Sequence, residues 1–162
     1  MNLKIISGGQ TGVDKMALEL AKELGIKTGG FTVKGYLTEK GPDLSLKDFN
    51  LIEIDSVDFP KRTKLNVKLA SGTILFGDLN SRGSKLVKNH CLLHFHPIIC
   101  NPTSEEITSY IKDLKKISED ETVILNIAGN RASKISKEDL DKYREILKWG
   151  IIKSSEKLIV NE

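Results

Sequence analysis

The chain has 162 residues, the size of one domain that can bury a core without a disulfide or metal to hold it. Hydrophobic residues make up 39% and charged residues 29%, the balance of a soluble globular domain rather than a disordered or fibrous chain. The net charge is +3 and the lysines are scattered among acids, so no basic stripe of the kind nucleic acid requires is present, although local positive charge around a small anion remains compatible.

The opening stretch organises the rest. Leu3, Ile5 and Ile6 form a short apolar run suited to a buried strand. Ser7 to Gly12 is a glycine-rich turn, and from Val13 the apolar residues Val13, Ala17, Leu20, Ala21 and Leu24 recur at helical spacing. Strand, glycine turn and helix together aim backbone N–H groups and a helix dipole at one point, the arrangement that cradles phosphate. The turn matches neither G-x-G-x-x-G nor G-x-x-x-x-G-K-[ST], so neither nucleotide fingerprint applies, and a plain tight connection is the competing account. Gln10, Thr11 and Asp14 favour a site, because they follow the strand's C-terminal end, where open α/β sheets place ligands. Asp14 has two accounts of equal weight: complementing the dipole, or accepting a hydrogen bond from a ligand.

Gly25 stops the first helix. Residues 27–32 carry Gly29-Gly30-Phe31 and predict a second strand. Residues 33–50 are polar, with Gly35, Gly41 and Pro42, and a connection of that length inside a compact domain is expected to be functional or mobile. Residues 51–54 predict a third strand. Pro60 at a first helical position opens a helix to about Ala70. It shows Phe59, Thr63, Asn66 and Ala70 on one face, with Arg62 a turn before Asn66; a partly exposed mixed face explains this as well as a site does.

Residues 73–76 predict a central strand, followed by a second polar glycine turn over 77–84 and a short helix through Leu86, Val87 and His90. Ser84 is placed to cap that helix, the N–H groups after Gly83 to receive an anion, and Arg82 to add charge. Residues 92–99 predict a fifth strand. Thr103 and Glu106 form a capping box before a helix that buries Ile107, Tyr110, Ile111, Leu114 and Ile117. Residues 123–128 predict a sixth strand, and Ser136 with Asp139 caps a last helix reaching about Gly150, after which residues 151–160 are expected to add an edge strand or cover a neighbour.

Alternating strands and helices predict a Rossmann-like α/β fold: a parallel sheet of about six strands with helices on both faces, in one domain over residues 1–162. The turns at 7–12, 77–84 and 129–134 then converge on the sheet's C-terminal edge. Among other chemistry, His90, Cys91, His94, His96 and Cys100 match no common zinc spacing, so no metal site is expected. On a strand, His94 and His96 share one face, and His96 near its C-terminal end is within reach of a ligand. Two cysteines make no disulfide framework, no signal-peptide segment opens the sequence and no apolar run spans a bilayer, so a cytoplasmic location without membrane attachment is expected.

The run Ser7 to Asp14, followed by Ala17-Leu18, resembles the opening of the bacterial putative molybdenum carrier protein family. The resemblance continues through Gly29-Gly30-Phe31, Lys34-Gly35, Gly41-Pro42, Arg62-Thr63, Asn66-Val67, Ser71-Gly72-Thr73 and Leu125 to Gly129, with Arg131 and Ser133, and so covers nearly the whole chain. It implies a Rossmann-like fold related to the LOG phosphoribohydrolases and the wider SLOG group. It also implies a pocket formed by Gly8, Gly9, Gln10, Thr11, Gly12, Arg62, Thr63, Asn66, Gly129 and Arg131. The expected ligand is an anionic, phosphorylated ring compound, with the molybdenum cofactor, molybdopterin, as named candidate. On that expectation the N–H groups of residues 8–12, with Gly83 and Ser84 as a second contact, hold phosphate. Lys15, Lys34, Arg62 or Arg131 neutralise it, and Gln10, Asp14 and Asn66 read the ring. The relatives also imply a homo-oligomer. Lys15 stands where the family usually has arginine, which loses the bidentate fork, and Ser81-Arg82-Gly83-Ser84 replaces a more usual glycine pair and threonine. The LOG signature P-G-G-x-G-T-x-x-E and its glutamate are absent, which favours a carrier or storage protein over the alternative, a hydrolase or sensor of nucleotides or their derivatives.

Overall fold

A computed structural model describes residues 2–118 and 122–156. The chain runs β1 (Asn2–Ile6), α1 (Val13–Glu23), β2 (Lys27–Gly29), β3 (Phe31–Thr32), β4 (Leu37–Thr38), β5 (Gly41–Pro42), β6 (Ile52–Glu53), α2 (Phe59–Leu69), β7 (Gly72–Phe76), α3 (Arg82–Leu93), β8 (Ile98–Cys100), α4 (Ser104–Ile117), β9 (Thr122–Gly129) and α5 (Lys137–Ser155). Short 3-10 turns occupy Lys34–Tyr36, Leu44–Phe49 and Ala132–Lys134.

The central sheet is parallel and has five strands in the order β2-β1-β9-β7-β8. Its two faces are covered by different helices. Leu3, Ile5, Ile74, Phe76, Val123, Leu125 and Ile127 pack under α1, α4 and α5 with Ala17, Leu20, Ile107, Ile111 and Leu147. On the other face Leu75 and Ala128 meet Val67 of α2 and Val87 and Cys91 of α3. Full burial of each such side chain is worth roughly 1.5–3 kcal/mol, so these layers outweigh any surface pair. The chain leaves β1 toward β2 on one side, and β9 returns between β1 and β7. That reversal opens a crevice at the strands' C-terminal ends.

Several expectations need correction. The sheet has five strands, not about six, and its centre is β9, with β7 beside it. The strand expected over 27–32 breaks at Gly30, whose φ of 119° turns the chain out of the sheet. Phe31–Thr32 instead pairs with Ile52–Glu53 in a separate two-stranded ribbon, so the strand expected at 51–54 never joins the main sheet. The excursion from 33 to 51 folds over α1, where Leu46, Phe49 and Leu51 enclose Leu18.

The strand expected over 92–99 is largely helix. Val87 and Cys91 are buried one turn apart, and α3 keeps its ladder to the His94 N–H. It then closes through Phe95 at φ 50° and a bond from the His96 N–H to the Cys91 carbonyl oxygen. An apolar run of this kind satisfies either period, and the helix already started upstream decided it. His94 and His96 therefore share no strand face, and His96 precedes β8 rather than ending it. Residues 151–155 extend α5 instead of forming an edge strand, and residues 157–160 lie outside the described residues. Thr103 and Glu106 do form the capping box of α4, but Ile117, at its end, is 75% exposed.

Candidate functional site

The crevice is a cavity of about 720 Å³ bounded by the ends of β1 and β9, the first two turns of α2 and the N-terminus of α3. Of the expected residues, Gly8, Gln10, Asp14, Arg62, Thr63, Asn66, Gly83, Gly129 and Arg131 line it. The turns at 7–12, 77–84 and 129–134 therefore do meet on one rim. Gly9, Thr11, Gly12, Lys15, Lys34 and Ser84 are not on the wall.

The first turn does not offer the open ring of donors its sequence suggests. Asp14, from the first turn of α1, folds back into the turn, where its Oδ2 accepts the Gln10 N–H at 3.1 Å. The Gly9 N–H goes to Ser7 Oγ, the Thr11 N–H to Gln10 Oε1 and the Val13 N–H to the Asn130 carbonyl oxygen. The expected phosphate floor at residues 8–12 is thus filled by the protein's own carboxylate and amide. The reason is local: a helix N-terminus attracts the nearest anion, and Asp14 is covalently at hand. Burial pushes the Asp14 carboxyl up to about 6, against the pull of Arg62 and of the Gln10 and Gly8 N–H groups.

Arg62 reaches across from α2. Its Nη1 donates to the Gly8 carbonyl oxygen at 2.6 Å and lies 3.8 Å from Asp14 Oδ2, with the two side chains only 11% and 9% exposed. Its guanidinium sits 5.3 Å from the Phe59 ring centre, and its buried Nε has no acceptor among the described residues. Asn66 is engaged within the protein: its Oδ1 accepts the Phe31 N–H and its Nδ2 donates to the Phe31 carbonyl oxygen, fixing β3 to α2. Thr63 donates to the Phe59 carbonyl oxygen within its own helix. Lys15 is held by Asp43 and Ser45, and Lys34 pairs at the surface with Asp55, so neither charge faces the cavity.

The second turn is different. Ser81, not Ser84, caps α3, accepting the Ser84 N–H at 3.1 Å. Ser84 is buried and its hydroxyl oxygen accepts from the Ser81 hydroxyl. Arg82 and Gly83, the first two residues of the helix, line the cavity with Arg131 and Lys134 beside them and Asp78 as the acid at the same mouth.

Sequence reasoning missed Asn126, Asn130 and Glu39. Asn130 joins three segments: Oδ1 accepts the Asp78 N–H, Nδ2 donates to Ser81 Oγ, and its carbonyl oxygen caps α1 at Val13. Glu39, at the tip of the β4–β5 hairpin, accepts from Thr11 Oγ1, from the Ser133 N–H and hydroxyl, and lies 3.6 Å from Arg131 Nε. The Ser133 and Thr11 hydrogen bonds hold its carboxyl down at about 2. The one sequence signal for Asn130 was its position directly after a strand and glycine; for Glu39 there was none.

Residues 5–148 match the family model described as the circularly permutated YpsA SLOG family. The chain belongs to that family. No curated protein matches this SLOG chain. Among solved structures it is similar to the Putative molybdenum carrier protein from Syntrophus aciditrophicus SB, at 30% identity and a TM-score of 0.74 over 94% of each chain. Among the described residues, no helix of this SLOG protein is long and apolar enough to cross a membrane, and no cluster of three or more His, Cys, Asp or Glu side chains is placed to hold a metal ion.

Proposed function

We propose that this SLOG protein binds a phosphorylated ring compound in the crevice, anion outward and ring inward. The observation that carries the proposal is that the cavity is lined by the first two residues of α3, Arg82 and Gly83, whose N–H groups lie ahead of the intrahelical ladder, together with Arg131 and Lys134. The ring would lie against Phe59, Pro60, Leu86 and the Ile127–Gly129 backbone, with Asp14 and Gln10 at its edge. The cavity's size is ordinary for a ligand of that class. The neighbour's name makes the molybdenum cofactor the named candidate, as cargo to be carried or stored: its phosphate suits the α3 end and its pterin donors suit Asp14. Self-association and a cytoplasmic location belong to the same proposal. The test is titration calorimetry with phosphorylated pterins and nucleoside monophosphates; a folded protein that binds none of them would refute the proposal.

A second reading has its own observation. Asp14 is a buried carboxyl in the cavity, poised near pH 6 and facing Arg62, the sort of group that can hand over a proton at neutral pH. Membership of the SLOG family supports a nucleotide hydrolase or sensor. Incubation with nucleoside monophosphates and chromatography for released base separates it from pure binding.

A further inference from the structure

Beneath α2 and α3, Asn126 of β9 stands in the cavity wall although it is only 3% exposed. A buried amide on a strand whose other residues from Val123 to Gly129 are apolar needs partners at both ends. One end has it: Nδ2 donates to Thr73 Oγ1 at 3.2 Å, between residues that face each other in the β7–β9 register. Thr73 is wholly buried and lies outside the cavity wall, and its hydroxyl is 2.9 Å from His96 Nε2. A hydroxyl has one proton, and two groups beside Thr73, His96 Nε2 and the Cys91 thiol, compete to accept it, so Thr73 is left to accept from Asn126. Burial, and then His94, hold the His96 imidazole below its usual value, which favours the neutral ring, one of whose tautomers offers Nε2 as an acceptor. The chain from His96 through Thr73 to Asn126 therefore presents an acceptor to the Asn126 amide. It ends at Asn126 Oδ1, which has no protein donor among the described residues and is not sealed from the cavity.

We infer that Asn126 is a specificity-determining residue that offers its amide oxygen to an N–H donor on the ligand's ring, with Thr73 and His96 as the positioning residues that fix which end of the amide faces the ligand. The inference rests on the ligand reading above and narrows it: the ring carries an exocyclic amine, and a phosphorylated sugar alone does not satisfy the site. A buried acceptor left unpaired disfavours the analogue that lacks the donor.

The test is calorimetric titration of the full chain with two pairs of probes: adenosine against purine riboside 5′-monophosphate, and guanosine against inosine 5′-monophosphate. Each pair differs by one amine. The wild-type protein is expected to bind the amine-bearing member of at least one pair about tenfold more tightly. Asn126→Leu and Thr73→Val are expected to bring that ratio near one, and Thr73→Ser, which retains the hydroxyl, to keep it near the wild-type value. A change in packing alone would weaken both members equally. A wild-type ratio near one in both pairs, or a ratio that survives Asn126→Leu, overturns the inference while leaving the ligand site standing. Failure of every phosphorylated ring compound to bind the wild type overturns the ligand reading and this inference with it.

Discussion

The two glycine-rich turns of this chain look alike in sequence and do different work. Both follow a strand and open a helix, one at residues 7–12 before α1 and one at 77–84 before α3. In the first, Asp14 supplies the anion and Arg62 bonds the Gly8 carbonyl oxygen, so the turn is closed on itself. In the second, Ser81 accepts the Ser84 N–H, and Arg82 and Gly83 line the cavity. The difference lies in the residue two places into the helix. A carboxylate there folds back on the N-terminus, whereas in α3 that place is Gly83, which has no side chain to fold back. A helix N-terminus is a site for outside anions only when the chain has not filled it first.

The strongest way to break this comparison is at Gly12, which has φ 85° and sits where a methyl group would collide with the Asn130 carbonyl oxygen. Gly12→Ala is expected to destabilise the protein by about 3 kcal/mol or more, read from urea denaturation, because the backbone conformation and the close approach are lost together. Gly83→Ala, where a methyl meets open space, is expected to change stability little in the same measurement.

The filled turn should also declare itself through pH. The Asp14 carboxyl is raised in the folded state from 3.8 to about 6, so the native state holds a proton the unfolded chain has released. Its contribution to stability is therefore full below pH 4 and lost as pH rises toward 6, by on the order of 2–3 kcal/mol. Denaturation across that window is expected to lose this downward slope in Asp14→Asn. Glu39 has the opposite sign. Its carboxyl is lowered from 4.5 to about 2, so its contribution is present above pH 4.5 and fades as pH falls toward 2, and Glu39→Gln is expected to flatten that acid limb.

A smaller effect sharpens the open turn. Arg82→Ala and Arg131→Ala are each expected to weaken binding of adenosine 5′-monophosphate by about tenfold, the loss of one charge-assisted contact, and to reduce its salt dependence. Smallest of all, Lys34→Ala is expected to leave that affinity within about twofold, since its ammonium pairs with Asp55 at the exposed surface.

The sequence alone determined the alternation of strands and helices, the two-sided parallel sheet, the capping box at Thr103 and the meeting of three turns at one edge. These follow from local periodicity and from the geometry of parallel crossovers, which need no knowledge of distant partners. Only the tertiary structure decided what each polar residue does there. Asn66 spends both ends of its amide on Phe31, Lys15 belongs to Asp43, and Glu39 ties the hairpin to Thr11 and Ser133. It also decided that Leu92 and Leu93 end a helix and that Asn126 faces a cavity. Each of these depends on which group lies within about 3 Å across the fold, and residues far apart in sequence set that distance.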